Sequence, residues 1–172
     1  VVDDDIALPD LPQPRGVAGT LFVHKITGAM AENGASLTEV KATADRIIDS
    51  VASIGKSLDT CTIPGSPKED RIPSGKAELG LGIHGEPGVE QVDVDGAADA
   101  MGIVLDKLRP HMIDGAGVAM MNNLGSTTPL EMSVLWHALA QAGVVTHMIG
   151  PAPMMTSLDM HGFSVSVLPA TE

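Results

Sequence analysis

The stretch AELGLGIHGEPG, Ala77 to Gly88, decides how the rest of the sequence is read. Leu79, Leu81 and Ile83 alternate with small or polar residues, which is the period of a strand. The run leads into His84 and then into a bend containing Gly85, Pro87 and Gly88. Gly85 and Gly88 permit backbone angles that a Cβ would forbid. Pro87 fixes its own φ and biases Glu86 toward extended geometry. A histidine is thus delivered at the end of a strand, on a stiff turn, with no bulky neighbour. A lone histidine beside an apolar strand is most often structural. The alternative is a ring that meets a small molecule, and loops of this kind are where such rings are found.

On the N-terminal side, Gly65 to Lys76 is a polar loop and Cys61 to Pro64 a short strand candidate. Ser36 to Glu39, SLTE, has the form of a capping box. Leu37, Val40, Ala44, Ile47, Ile48, Val51, Ile54 and Leu58 follow in steps of three and four, predicting a helix from about Leu37 to Leu58. Val17, Leu21, Ile26 and Met30 predict a helix ahead of it, closed by Asn33-Gly34. Gly19 and Gly28 weaken that helix and mark close packing against another backbone. Residues 1–15, with Pro9, Pro12 and Pro14, read as a linker or edge segment, and Asp3-Asp4-Asp5 as a solvated charge run.

On the C-terminal side, Glu90 to Val94 alternates like a short strand, and Ala97 to Met112 is a helix with Met101, Val104, Leu105 and Leu108 inward. Val118 to Met121 is a buried strand. Thr127 or Thr128 caps a helix with Pro129 in its first position, ending at Gly143. Val144 to Ile149 is a strand, Ser157 to Met160 a single turn, and Phe163 to Leu168 a half-exposed terminal strand. The order describes an α/β (α+β) fold, a single domain over 16–172 with a mixed β-sheet packed with helices.

Composition narrows the function. The 172 residues fit one domain with a sizeable core. With ten Met, two Phe, one Trp and no Tyr, aliphatic and Met side chains must fill it. A net charge of −12 disfavours a nucleic-acid partner and an anionic membrane surface. No apolar run reaches the ~18 residues of a membrane span. The lone Cys61 allows no intrachain disulfide, which suits a reducing cytoplasm, and reads as an inert buried thiol. CxxC, HExxH and GxxxxGK[ST] are absent. GLGIHGEPG superficially resembles a phosphate cradle, yet it lacks the lysine, and Glu86 would repel a phosphate. The six histidines do not pair at i,i+4, so no metal site is expected. His24, His111 and His137 fall in helices, His147 and His161 near the last strands. The chain opens on VVDDDIALPDLPQP without an initiator Met, as a piece of a longer polypeptide would.

Several blocks, taken together and in order, are specific. They are RGVAGT and HKITGAMAENGASL (Arg15 to Leu37), CTIPG (Cys61 to Gly65), ELGLGIHGEPG (Glu78 to Gly88), NNLG with PLEM (Asn122 to Met132) and TSLDMHGFS (Thr156 to Ser164). In these the chain resembles the substrate-binding component of the dihydroxyacetone kinases, specifically its C-terminal half. The resemblance implies that His84 is both the catalytic and the substrate-binding residue. A neutral imidazole, plausible near pH 7, adds to the carbonyl of dihydroxyacetone or a similar short ketose and gives a hemiaminal. Glycerol has no carbonyl to attack.

The resemblance also implies what this chain lacks. The N-terminal half would carry a Gly-rich loop and the Lys and Asp that bind the substrate hydroxyls. No cofactor is expected on this chain. ATP, or ADP as a phosphoryl carrier, and Mg belong to a helical nucleotide-binding domain or subunit, fed in some relatives by a phosphotransferase system. The component is usually a homodimer, and the chain alone is expected to be inactive. Two alternatives stand beside this reading: a non-catalytic ketone-sensing regulator, and a kinase for a four-carbon ketose such as erythrulose.

Overall fold

The computed structural model describes residues 1–7, 15–83, 87–113 and 116–170. Its elements run α1 (Thr20–Glu32), α2 (Leu37–Ser50), β1 (Ala52–Ser57), β2 (Lys76–Leu79), β3 (Glu90–Asp93), α3 (Gly96–Leu108), a 3-10 turn (Arg109–His111), β4 (Gly117–Asn123), α4 (Pro129–Ala142), β5 (His147–Ala152) and β6 (Gly162–Pro169). The strands form one six-stranded sheet in the order β3-β2-β1-β6-β4-β5. The β4–β5 pair is parallel and the others are antiparallel, so the sheet is mixed, as the sequence indicated.

Two helices start where local chemistry says they should. Ser36 accepts the Glu39 N–H while Glu39 reaches back to the Ser36 N–H, closing the capping box of α2. Thr128 and Glu131 do the same for α4, with Pro129 at its start and Gly143 left-handed at its end.

Parity along the central strands separates two cores. Ala52 and Ile54 of β1, Ala119 and Met121 of β4, and Phe163, Val165 and Val167 of β6 meet α3 and α4 in one apolar cluster. Met120 faces the other way and joins Val17, Phe22, Ile47 and Val51 from the α1–α2 side. Alternate residues of a strand point to opposite faces, so helices cover both sides of the sheet. The face toward α1 and α2 is polar at its centre. Ser53, Ser57, Ser164, Ser166 and Asn122 are all buried there. Ser53 donates to Ser166 Oγ at 2.6 Å directly across the β1–β6 pair.

The structure corrects several expectations. The helix predicted to reach Leu58 stops at Ser50, and Val51 is already extended. Val51 and Ile54 continue the helical spacing, but β1 lies between β2 and β6 and is buried along its whole length. Backbone pairing on two sides outweighs a periodicity that a doubly covered strand can also show. Cys61 to Pro64 is not a strand: Cys61 packs with Leu81, Leu124 and Met160, and the segment turns outward. β6 is central and not half-exposed, because its serines hydrogen-bond inside the protein. The aspartate run is solvated only at Asp3. Asp4 is buried and accepts the N–H groups of Val17 at 2.9 Å and Gly19 at 2.7 Å. Gly19 is tight against the Asp4 carboxylate and the Val51 side chain, not a backbone, while Gly28 faces open space.

Candidate functional site

His84, Gly85 and Glu86 lie outside the described residues, and with them the one residue the sequence nominates as catalytic. The frame on both sides of that loop is defined. β2 ends at Leu79, where Gly80 takes φ +67 and leaves the strand line. That left-handed conformation suits glycine. The Gly80 N–H still bonds to the Gly55 carbonyl at 2.8 Å, and Leu81 then lies over Gly55, which offers no side chain to obstruct it. Ile83 reaches the cluster on the α1–α2 face, which Met154 and Met155 also join.

Charge fixes each end of the loop. On the outgoing side, Arg15 donates to the Gly80 carbonyl at 2.8 Å and pairs with Asp5 at 3.1 Å. The Asp5 side chain is fully buried and also accepts the Ala7 N–H at 2.9 Å. Burial pushes the Asp5 carboxyl above its ordinary range, against the pull of the Ala7 N–H and of Arg15. On the returning side, Gly88 donates its N–H to Glu78 Oε2 at 3.1 Å, and Val89 closes the hairpin onto the Leu79 carbonyl at 2.9 Å. Glu78 is buried and held by Arg71 through Nε at 3.1 Å and Nη2 at 3.1 Å. Burial raises the Glu78 pKa, but hydrogen bonds from Arg71 and Gly88 and the Arg71 charge prevail and hold it below the usual carboxylate range. Arg71 also engages Glu69.

The remaining blocks singled out in the sequence gather around this frame. Asn122 uses its whole amide. Oδ1 accepts from Met154 N at 2.9 Å and Met155 N at 2.8 Å, while Nδ2 donates to Met155 O at 2.7 Å and Ser164 Oγ at 3.1 Å. Asn123 bonds Thr127 O at 2.6 Å and accepts the Gly125 N–H at 2.9 Å, which shapes the turn into α4. Asp159 accepts from the Thr62 N–H at 2.5 Å and the Thr62 hydroxyl at 2.7 Å, joining the CTIPG and TSLDM segments. His161 lies 3.0 Å from Glu131. His24, His111, His137 and His147 are exposed. Cys61 is a buried free thiol. Arg15 and Glu78 lie within the family blocks, where their sequence neighbours indicate no task, and Asp5 lies in a charge run that does not disclose its burial. Their roles depend on pairings 10 to 65 residues apart.

Among the described residues no group of three or more His, Cys, Asp or Glu could hold a metal, and no helix is long and apolar enough to cross a membrane.

A three-layer α/β/α domain with a glycine-bounded loop anchored at both ends is the class these observations define. By sequence, the chain belongs to the Dak1 domain family, whose model matches residues 1–172. It is 39% identical over 175 residues to a dihydroxyacetone kinase of Citrobacter freundii, covering 98% of this chain and 31% of that protein. It is 39% identical over 180 residues to the dihydroxyacetone-binding subunit DhaK of a PTS-dependent dihydroxyacetone kinase of Listeria innocua, covering 98% of this chain and 54% of the subunit. The crystal structure of the C. freundii kinase superposes with a TM-score of 0.91 over 98% of this chain and 32% of that one, and a structure of the same enzyme contains AMP-PNP and Mg2+. A dihydroxyacetone kinase operon co-activator, DhaQ, is 27% identical and superposes at a TM-score of 0.84, over 96% of this chain and 54% of the co-activator. The chain thus spans about a third to about half the length of these relatives.

Proposed function

We propose that this chain is the ketone-holding C-terminal half of the substrate-binding component of a dihydroxyacetone-type kinase, with His84 as its covalent anchor. On this reading 1–15 is a linker or edge segment from an N-terminal half, and 16–172 the C-terminal α/β domain of the component. Support comes first from the family match over the whole chain and from relatives named for dihydroxyacetone. The observation that carries the reading is the double anchorage around His84. Arg15 holds the Gly80 carbonyl and Glu78 holds the Gly88 N–H, on either side of the segment that carries His84, and holding a nucleophile in few poses is in general worth orders of magnitude in rate.

The chemistry asks little of the protein. A lone pair on the neutral His84 imidazole attacks the carbonyl carbon, and one N–C bond forms. The carbonyl π pair moves to oxygen, which takes up a proton as the other ring nitrogen gives one up. Nothing leaves, so the adduct is reversible, and a polyol without a carbonyl is refused. The substrate hydroxyl is then presented to a phosphoryl donor. That donor, ATP or a nucleotide recharged by a phosphotransferase system, and its magnesium are held by a separate helical domain or subunit. The assembly is a cytoplasmic homodimer, and this chain is inactive alone.

Dihydroxyacetone labelled with carbon-13 at its carbonyl tests the reading. On the complete protein its resonance should move from the carbonyl to the tetrahedral region, and intact mass should rise by one substrate. His84→Ala should abolish both and turnover with them; an unchanged adduct in that variant refutes the assignment. The co-activator superposition favours one second reading, a ketone-sensing regulator that uses the same trap. Supplying ATP and the nucleotide-binding partner separates the two, because phosphorylated ketone eliminates the sensor. Erythrulose offered in the same assay decides whether a four-carbon ketose is the substrate.

A further inference from the structure

On the α3–α4 side of the sheet is a cavity of about 670 Å³, a size typical of small-molecule sites. It lies between the 72–76 segment, the start of α3, the start of α4 and the end of β1. Its walls are mainly apolar and include Leu58, Ile72, Val134 and Phe163. Leu130 and Val134, on α4, are well exposed. Lys56 lines the same cavity and is 1% exposed.

Lys56 has no role in the frame around His84. Parity points it to the apolar face, along with Ala52 and Ile54. Among the described residues its ammonium bonds only the Ala100 carbonyl, at 3.5 Å, and no carboxylate forms an ion pair with it. Burial lowers the Lys56 pKa, and the nearby charge of Asp99 opposes this only in part. A buried ammonium served by one long hydrogen bond is costly to keep, and a charged, hydrogen-bonded partner would offset that cost.

We propose that this cavity binds a monocarboxylate with an apolar tail, its head group received by Lys56 and its tail by the apolar walls. A ligand carboxylate supplies the directly paired counter-charge that Asp99, acting without an ion-pair contact, does not, and it accepts hydrogen bonds from the ammonium. Of the other polar side chains in the walls, Lys76 pairs with Asp93, Thr127 donates to the Gly162 carbonyl and His161 lies against Glu131. A doubly charged phosphate fits less well, because Lys76, the other lysine of the lining, is paired with Asp93 at 2.6 Å, and Glu131 also lines the cavity. Glu131 is committed to Thr128 and His161 and does not compete for Lys56. The lining includes none of Gly80, Ile83 and Gly88, the described residues on either side of His84, and the proposal does not rest on the ketone trap.

Calorimetric titration of the complete protein with octanoate and with 1-octanol tests the assignment. Octanoate should bind at least tenfold more tightly than the alcohol. Lys56→Met keeps the length of the side chain and removes its charge, so it should erase that preference while leaving thermal unfolding cooperative. Val134→Trp, a change at an exposed position of the wall, should weaken both ligands at least tenfold without loss of ketone binding. The proposal is overturned if octanoate does not bind, if Lys56→Met keeps the tenfold preference, or if Val134→Trp leaves octanoate affinity unchanged.

Discussion

Replacing Glu78 removes the fastening on the returning side of the His84 loop. The carboxylate is buried, accepts two bonds from Arg71 and takes the Gly88 N–H. Breaking a fully buried ion pair costs about 3–5 kcal/mol. Arg71 is 24% exposed and keeps Glu69, so its share here is smaller, about 2 kcal/mol. The orphaned Gly88 N–H adds about 1 kcal/mol. Glu78→Ala should therefore lose about 3 kcal/mol, a fall in Tm of about 6–12 °C for a domain of this size. Glu78→Gln keeps an acceptor for Gly88 and should lose about half as much.

The pH dependence has a definite sign. The Glu78 pKa is lower in the folded protein, so the unfolded chain takes up this proton first as pH falls. Its stabilisation is present above the ordinary glutamate range, near pH 4.5, and is lost as pH drops through the folded value. Denaturant titrations between pH 3 and pH 7 should show a shallower acid limb in Glu78→Gln than in the parent. Asp5 contributes with the opposite sign, because its folded pKa is raised. Equal losses from the Ala and Gln variants, or parallel acid limbs, would refute the assigned role of the charge.

Other changes probe the framework. Gly19→Ala would place a Cβ 2.5 Å from Asp4 Oδ2 and 2.7 Å from Val51 Cγ2, and should destabilise by about 1–3 kcal/mol. Gly28→Ala, with nothing near it in the same helix, should instead stabilise by about 0.5–1 kcal/mol, and urea midpoints distinguish the two. Asn122→Ala strands the Met154 and Met155 N–H groups and should cost about 3 kcal/mol. Amide hydrogen exchange at Met154 and Met155 should accelerate with it; unchanged protection there would show that the amide is not what holds that segment.

What the sequence revealed was local. Ser36 with Glu39 and Thr128 with Glu131 are chemistry written within four residues, and both helices begin where those boxes lie. The family blocks were equally legible, since order and identity need no geometry. The errors share one physical cause. Ala52–Ser57 is a strand because β2 and β6 flank it, and neither partner is near in sequence. Asp4 and Asp5 are buried because amide N–H groups on the α1 side and Arg15 meet them, which a run of three aspartates cannot disclose. Lys56 falls within the stretch whose spacing predicts a helix, and β1 turns it inward.

The two surfaces of the central sheet divide the labour of the molecule. On β1, β4 and β6, one parity carries hydrocarbon and sets the cohesion of the domain, while the other carries hydroxyls and an amide that set direction. A saturating mutational survey should therefore come out striped. Positions such as Ile54, Val165 and Met121 would accept other aliphatics of similar volume, because dispersion has no preferred angle. Ser53, Ser166 and Asn122 would accept almost nothing, because a donor replaced by a methyl leaves its opposite number dry and unanswered.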